Sequence, residues 1–391
     1  MKAAWTVYRK EVRENLRDRR TLTSALVTGP LLGPFVLAMM LNVMAKQVQE
    51  SLEKPLSVAV VGAEHAPRLM VQLQQLGLVI EPAPADAEAS VQDEHRDVVL
   101  RVLPDYSASW ERGEPASVEL LFDGSRHEGA TAAARLRKLV LAAGAQTAAL
   151  RLVARGLRPE IVKPIVVVDH DTSTALSRGA RIFGMLPYLL VMTIFVGGMY
   201  LAIDTTAGER ERQSLEPLFI NPARRSHILL GKLGATWTFA TLSLCLSLVA
   251  FASLGPFLPI ERLGMAIDVG PRFALRVLLV MFPSILLIGV VQTLVSAFAK
   301  SFREAQTYLS LLLLVPSLPS ILLSIAPMKP KLWMFAVPLV GQQFSIMRFV
   351  RGEAVTALQL SLCCSGTLLF AALLGVVTVR VYGSERLAIS A

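Results

Sequence analysis

The sequence predicts a polytopic α-helical membrane protein, with six transmembrane helices and a large extracytoplasmic α/β domain between the first and second. Three observations lead there. Hydrophobic residues make up 53% of the 391 positions and charged residues only 18%, below the roughly 25% charged share of a soluble domain. The charges are unevenly spread and leave six uncharged gaps, each long enough to cross a hydrocarbon core of ~30 Å at ~1.5 Å rise per residue. One domain-sized block of ordinary polarity follows the first gap. This composition excludes a disordered chain, and three cysteines cannot staple a disulfide scaffold.

The first gap lies between Arg20 and Lys46, which sets residues 1–20 as an amphipathic cytoplasmic segment and 21–45 as the first span. The others lie between Arg181 and Asp204, Lys232 and Glu261, Arg276 and Lys300, Glu304 and Lys329, and Glu353 and Arg380. A charge at the midplane would cost ~2.5–3.5 kcal/mol, so six such gaps do not arise by chance. Val43 and Ala45 look like a signal-peptidase site. The long basic flank and the long apolar run favour a retained signal anchor. Residues 332–347 are apolar but short, and Pro338, Gly341, Gln342 and Gln343 interrupt them. They read as a re-entrant or interfacial segment or a broken helix, with a seventh span as the alternative.

Orientation follows from the basic flanks. Lys2, Arg9, Lys10, Arg13, Arg17, Arg19 and Arg20 put the N-terminus in the cytoplasm, and Arg210, Arg212, Arg224, Arg225 and Lys232 put the second loop there. Arg380 and Arg386 do the same for the C-terminus, giving a multi-pass protein of a bacterial inner membrane. The net charge of +9 then serves topology, and no nucleic-acid partner is needed.

Residues 46–180 form the extracytoplasmic α/β domain. Within them, 56–62, 97–103, 118–123 and 161–169 read as strands, being short, β-branched and bounded by turn residues. Residues 66–76 and 126–155 read as helices, and 82–89 as a loop. Asp86, Glu88 and Asp93 belong to a solvated loop on this reading, as do Asp123, Ser125 and His127.

No phosphate-cradling Gly-x-x-x-x-Gly-Lys-Ser/Thr run exists: Ser226 takes the place of the first glycine before Gly231-Lys232, and Leu233 follows. No two histidines stand at i, i+4 and no Gly-x-Ser-x-Gly elbow occurs. Neither a catalytic nor a metal site is expected, and Cys245, Cys363 and Cys364 read as packing residues.

The informative segment is cytoplasmic. After the second span come Gly208-Glu209-Arg210-Glu211-Arg212, then Leu215-Glu216-Pro217-Leu218-Phe219 and Pro222, before the chain re-enters through Gly231-Lys232. Charges giving way to Leu215, Leu218 and Phe219 at helical spacing describe a short amphipathic helix under the membrane within 205–222. The bland alternative is a solvated elbow.

These motifs resemble the membrane subunits of type-2 ABC exporters (ABC-2 type permeases), and within them the NatB-like sodium-efflux branch. Further motifs carry the likeness: Ala299-Lys300-Ser301-Phe302-Arg303-Glu304-Ala305-Gln306-Thr307-Tyr308, Val337-Pro338-Leu339-Val340-Gly341-Gln342-Gln343, and Leu103-Pro104-Asp105-Tyr106 with Val118-Glu119-Leu120-Leu121-Phe122-Asp123-Gly124-Ser125. Ser214 stands where the family commonly has Thr. The resemblance implies a permease that dimerises with itself or a relative and pairs with a separate ATPase subunit. ATP and Mg would sit on that partner, with no cofactor here. It also implies that Glu209, Arg210, Glu211, Arg212, Leu215, Glu216, Leu218 and Phe219 form the helix that docks on the ATPase.

A translocation path would draw on uncharged polar residues in the spans: Asn42, Tyr188, Thr193, Gln292, Thr293, Ser296, Gln306, Thr307 and Tyr308. For each, an interhelical hydrogen bond is the plainer role. With no carboxylate deep in any span, the substrate stays open between Na+ and a small hydrophobic, lipid-like or drug-like molecule. Two other readings compete: an ATPase-coupled mechanotransmission or signalling protein working its outer domain, and a membrane anchor or receptor without an ATPase.

Overall fold

In the computed structural model, the described residues are 2–53, 55–93, 95–159, 174–175, 179, 183–214, 223–260, 269–325 and 328–383. They fall into two units: Gln47–Asp171, and the flanking Met1–Lys46 with Thr172–Ala391.

The chain opens with helix α1 (Lys2–Asn15) and, after a short turn and a wide π-helical turn at Thr23–Thr28, runs into α2 (Gly29–Glu53). Among the described residues, the smaller unit holds a four-stranded sheet with its helices. β1 (Leu56–Val61), α3 (Pro67–Gln75), β2 (Leu78–Glu81), α4 (Ala87–Gln92), β3 (Val98–Val102), α5 (Tyr106–Arg112), β4 (Val118–Phe122) and α6 (His127–Ala154) follow in order. The strand order is β2-β1-β3-β4, with β1 parallel to β2 and β3, and β4 antiparallel to β3. Alternate residues serve opposite faces. Val58, Val60, Leu100 and Val102 meet Leu69 and Leu73 of α3 and Leu136 of α6, while Ala59 and Val99 meet Ala87 and Val91 of α4. With both faces covered, β1 and β3 are apolar but for Ser57 and Arg101.

Two sequence expectations for this unit are corrected. Residues 82–89 are not all loop: α4 begins at Ala87, because Asp86 Oδ1 accepts from the backbone N–H groups of Glu88 (2.9 Å) and Ala89 (3.0 Å). Asp86 is therefore a helix cap, and Glu88 reaches Arg101 at 3.2 Å, so these carboxylates are not simply solvated. Strand β2 went unread because its four residues are too few for a period to show. The expected strand at 161–169 lies outside the described residues. Asp123 folds back on Ser125, accepting from its N–H (2.9 Å) and hydroxyl (2.7 Å), which holds the Asp123 carboxyl below the usual range.

The larger unit continues with α7 (Leu186–Ile203), α8 (Arg225–Leu254), α9 (Pro271–Phe298), α10 (Phe302–Leu312), α11 (Leu314–Ile325), α12 (Val340–Val350) and α13 (Ala357–Gly383). Among the described residues, five helical stretches are long and apolar enough to cross a membrane: Thr23–Lys46, Phe183–Glu211, Arg225–Leu254, Pro271–Phe298 and Ala357–Gly383. Between Glu304 and Lys329, where the sequence places the fifth span, the chain forms α10 and α11, parted at Leu313. Pro316 has no N–H for the carbonyl of Leu312, and Pro319 none for that of Val315, so the ladder is weakest there.

Residues 332–347 form a short 3₁₀ turn (Leu332–Ala336), then Leu339 at φ 68°, then α12. Gly341 and Gly366 lie against the backbones of Phe335 and Ala336 so closely that neither site has room for a Cβ. Gln342 ties the break together. Its Oε1 accepts from Leu339 N–H and its Nε2 donates to Thr367, both at 2.7 Å.

Candidate functional site

The Gly208–Arg212 motif is the end of a rod. Helix α7 widens into a π-helical turn at Asp204–Gly208 and finishes in Glu209–Glu211. Such a turn inserts one residue and so rotates whatever follows by about 100°. The rod closes with a Schellman arrangement: Gln213 N–H donates to Arg210 O (3.0 Å) and Ser214 N–H to Glu209 O (2.9 Å). Gln213 holds the left-handed position at φ 55°, where glycine is the usual occupant.

Each charge of the motif is committed to a different neighbour. Glu209 is buried, with Oε2 2.5 Å from Lys232 Nζ and Oε1 3.6 Å from Lys10 Nζ. Arg210 Nη1 donates to Ala299 O at 3.2 Å. Glu211 Oε2 accepts from Phe302 N–H at 2.7 Å, fastening the start of α10. Arg212 Nη2 donates to Asp204 Oδ1 at 2.8 Å, back along its own rod. Glu211, Arg212, Gln213 and Ser214 are exposed. Leu215, Glu216, Leu218 and Phe219 lie outside the described residues.

Lys232, on the first turns of α8, has 0% exposure. Beyond Glu209, it donates to Thr205 O at 2.7 Å and stands 3.6 Å from Glu11 Oε1. Glu11, on α1 and 1% exposed, is 3.4 Å from Lys10 Nζ. Lys232, Glu209 and Glu11, from α8, the end of the α7 rod and α1, thus form one buried cluster, with the exposed Lys10 at its rim. A cleft of about 620 Å³ opens beside it, lined among others by Glu11, Glu14, Asp18, Asp204 and Glu209. Burial pushes the Glu11 carboxyl up, the Lys232 ammonium pulls it back, and the Glu209 carboxylate pushes again; the net shift is upward. Among the described residues, no group of three or more His, Cys, Asp or Glu could hold a metal ion.

Glu11 and Lys232 carry no role in the sequence reading, although a pattern marks both. Lys232 stands at i+4 from the buried Ile228 and four before the buried Thr236, on the inner stripe of α8. Glu11 shares the inner face of α1 with Val7, Tyr8 and Val12. A charge on an apolar stripe at helical spacing announces a buried partner.

The residues expected to line a path are divided. Thr193, Gln292, Thr293 and Ser296 are buried between helices. Thr193 donates to Gly29 O (3.2 Å) and Leu189 O (3.0 Å), Gln292 Nε2 to Phe195 O (2.7 Å) and Thr293 to Gly289 O (2.8 Å). Among the described residues, Gln292 Oε1 and the Ser296 hydroxyl are buried without a hydrogen-bond partner. Asn42, Thr307 and Tyr308 are exposed and bond within their own helices, to Ala38 O (2.9 Å), Arg303 O (3.1 Å) and Glu304 Oε1 (2.6 Å). Tyr188 and Gln306 are half-buried. The nine do not share one wall.

The class that the fold defines is a multi-pass helical membrane protein. The chain belongs to the ABC-2 family of transporter proteins, whose profile matches residues 30–377. It is 26% identical over 368 residues to the ABC transporter permease protein NatB of Bacillus subtilis (strain 168), covering 93% of each chain. No solved structure matches it.

The cluster has a definite energetic signature. Lys232→Met leaves Glu209 and Glu11 buried without their ammonium and should cost about 3–5 kcal/mol, whereas Glu11→Gln leaves the Lys232–Glu209 pair intact and should cost far less. With its pKa raised in the fold, Glu11 favours folding most below the ordinary carboxylate range, and that contribution is lost as pH rises through its raised value. The melting temperature of Glu11→Gln relative to the parent should therefore climb between acid and neutral pH. Thermal unfolding in detergent across that range measures both effects, and equal losses in the two variants would refute the ranking.

Proposed function

We propose that the chain is the membrane half of an ATP-driven exporter, working as a homodimer or with a related permease, and driven by a separate ATPase subunit. In this reading it spans the inner membrane six times, with the broken α10–α11 pair as the fifth span. Both termini face the cytoplasm, and residues 46–180 lie outside. The observation that carries the proposal is the fastening of Glu209, Arg210 and Glu211 to α8, α1 and the start of α10. A force applied to the segment that follows would reach three parts of the membrane unit at once. Leu215, Glu216, Leu218 and Phe219 are the side chains left for the ATPase, and the motif's first three charges serve as the anchor behind them.

The resemblance to the NatB-like branch is what brings Na+ into the reading. For this chain the substrate is Na+ or a small hydrophobic molecule. A second reading, mechanotransmission to the outer unit without translocation, draws support from the path residues: Thr193 and Gln292 are spent on hydrogen bonds that tie helices together, and Asn42, Thr293, Thr307 and Tyr308 on bonds within their own helices.

Co-purification of the ATPase with the permease, alongside ATP turnover, tests coupling. Leu215→Ala with Leu218→Ala should weaken retention about tenfold or more, as loss of apolar anchors at an interface does, while the melting temperature holds. Unchanged retention would return the segment to a solvated elbow. Orientation is tested by single cysteines. One at Gly124 should react with an impermeant thiol reagent in intact spheroplasts and one at Ser214 should not, and the reverse pattern would overturn the topology.

A further inference from the structure

We propose that the outward face of α1 binds the anionic phospholipid headgroups of the adjoining leaflet, with Arg9, Arg13 and Arg17 taking phosphates and Trp5 the interfacial layer beneath them. The inference rests on the membrane assignment and is independent of ATPase coupling.

The inner face of α1 fixes its depth. A Cβ on Gly231 would meet Ala4 O and Val7 Cβ at 2.7 Å, and the Tyr8 hydroxyl is 3.2 Å from Thr238 Oγ1. Helix α1 therefore crosses α8 over residues 231–238, its first apolar turns, just past Arg224 and Arg225. That is where hydrocarbon gives way to water. The opposite face must then stand among headgroups.

That face has the matching chemistry. Arg9 and Arg13 on α1 and Arg17 in the turn that follows it recur at i, i+4 and i+8 and are exposed, and among the described residues none has a carboxylate partner. They wall a trough of about 560 Å³ that begins at Trp5. The trough's one carboxylate, Glu14, is already paired with Lys10 at 3.3 Å. Trp5 is 64% exposed and stacked on Tyr8 at 5.2 Å, so its ring is held without being covered. An exposed tryptophan at the depth of an interface, beside a row of guanidiniums, suits a phosphate-bearing bilayer surface. A protein partner would need acidic groups registered to three arginines over two helical turns, whereas an anionic leaflet supplies phosphates at any spacing.

The test uses the full-length protein, delipidated in detergent and titrated with phosphatidylglycerol or phosphatidylcholine, with bound lipids counted by native mass spectrometry. The parent should retain phosphatidylglycerol preferentially. Arg9→Gln with Arg13→Gln and Arg17→Gln should lose that preference, by about fivefold per charge removed, and the corresponding triple Lys variant should keep it. Brominated phosphatidylglycerol should quench a fluorescence component that Trp5→Phe lacks, and brominated phosphatidylcholine should quench it less. The proposal fails if the parent binds both lipids equally. It also fails if Arg137→Gln with Lys138→Gln and Arg155→Gln, the same charge change elsewhere, costs as much. A Gln triple variant that keeps its lipids but loses the ATPase would hand this face to the protein partner instead.

Discussion

A lysine with no exposed surface sets the terms for one end of the membrane unit. Taking an ammonium out of water costs several kcal/mol unless close partners repay it, and Lys232 meets this with Glu209 at 2.5 Å and the Thr205 carbonyl at 2.7 Å. Much of the local architecture follows. The α7 rod must run beyond its apolar stretch, and the π-helical turn at Asp204–Gly208 must rotate its end, for Glu209 to arrive. Helix α1 must lie close on α8, which Gly231 permits, for Glu11 and Lys10 to complete the charge balance. The Schellman turn at Gln213 then redirects the chain immediately past the cluster, in a conformation that costs a non-glycine residue about 1–2 kcal/mol. Strain at that spot is tolerated because the bonds on either side of it are fixed.

This arrangement changes what the charged motif means. Read as sequence, Glu209 to Arg212 looks like a solvated helix face offered to a partner. In the fold, Glu209 is withdrawn, Arg210 and Glu211 reach to Ala299 and Phe302, and Arg212 closes on its own rod. Opposite charges in alternation serve here because each must reach in a different direction. The links to Ala299, which caps the end of α9, and to Phe302, the first residue of α10, straddle the turn between those helices, and α10 is followed at once by the proline-weakened break before α11. A stiff rod, a buried pivot and a broken helix beyond it form a mechanical series suited to passing on a displacement.

How far the sequence could be read depends on the range of each interaction. Gaps between charges marked the long helices, because length and apolarity are local properties. Strands β1, β3 and β4 were legible from their β-branched runs, whereas β2 was too short, and α4 was masked by a composition that reads as loop until Asp86 is seen capping it. Between Glu304 and Lys329 apolarity marked a span, and where that span breaks depends on Pro316 and Pro319. At the site, the motif itself was found, but its partners were not, since Glu11 and Lys232 lie far from Glu209 in the chain. Only the helical phase of each, a charge on a buried stripe, pointed to the pairing.

The central claim is that Glu209 and Lys232 act as one unit locking the rod to α8. A double-mutant cycle on thermal unfolding, with Glu209→Gln, Lys232→Met and the two combined, tests it most directly. The account predicts that the double variant is less destabilised than the sum of the singles by about 2 kcal/mol or more, since each single strands the other's charge in the interior. Additivity within about 0.5 kcal/mol would contradict it and leave the two residues as independent tenants of the same cavity.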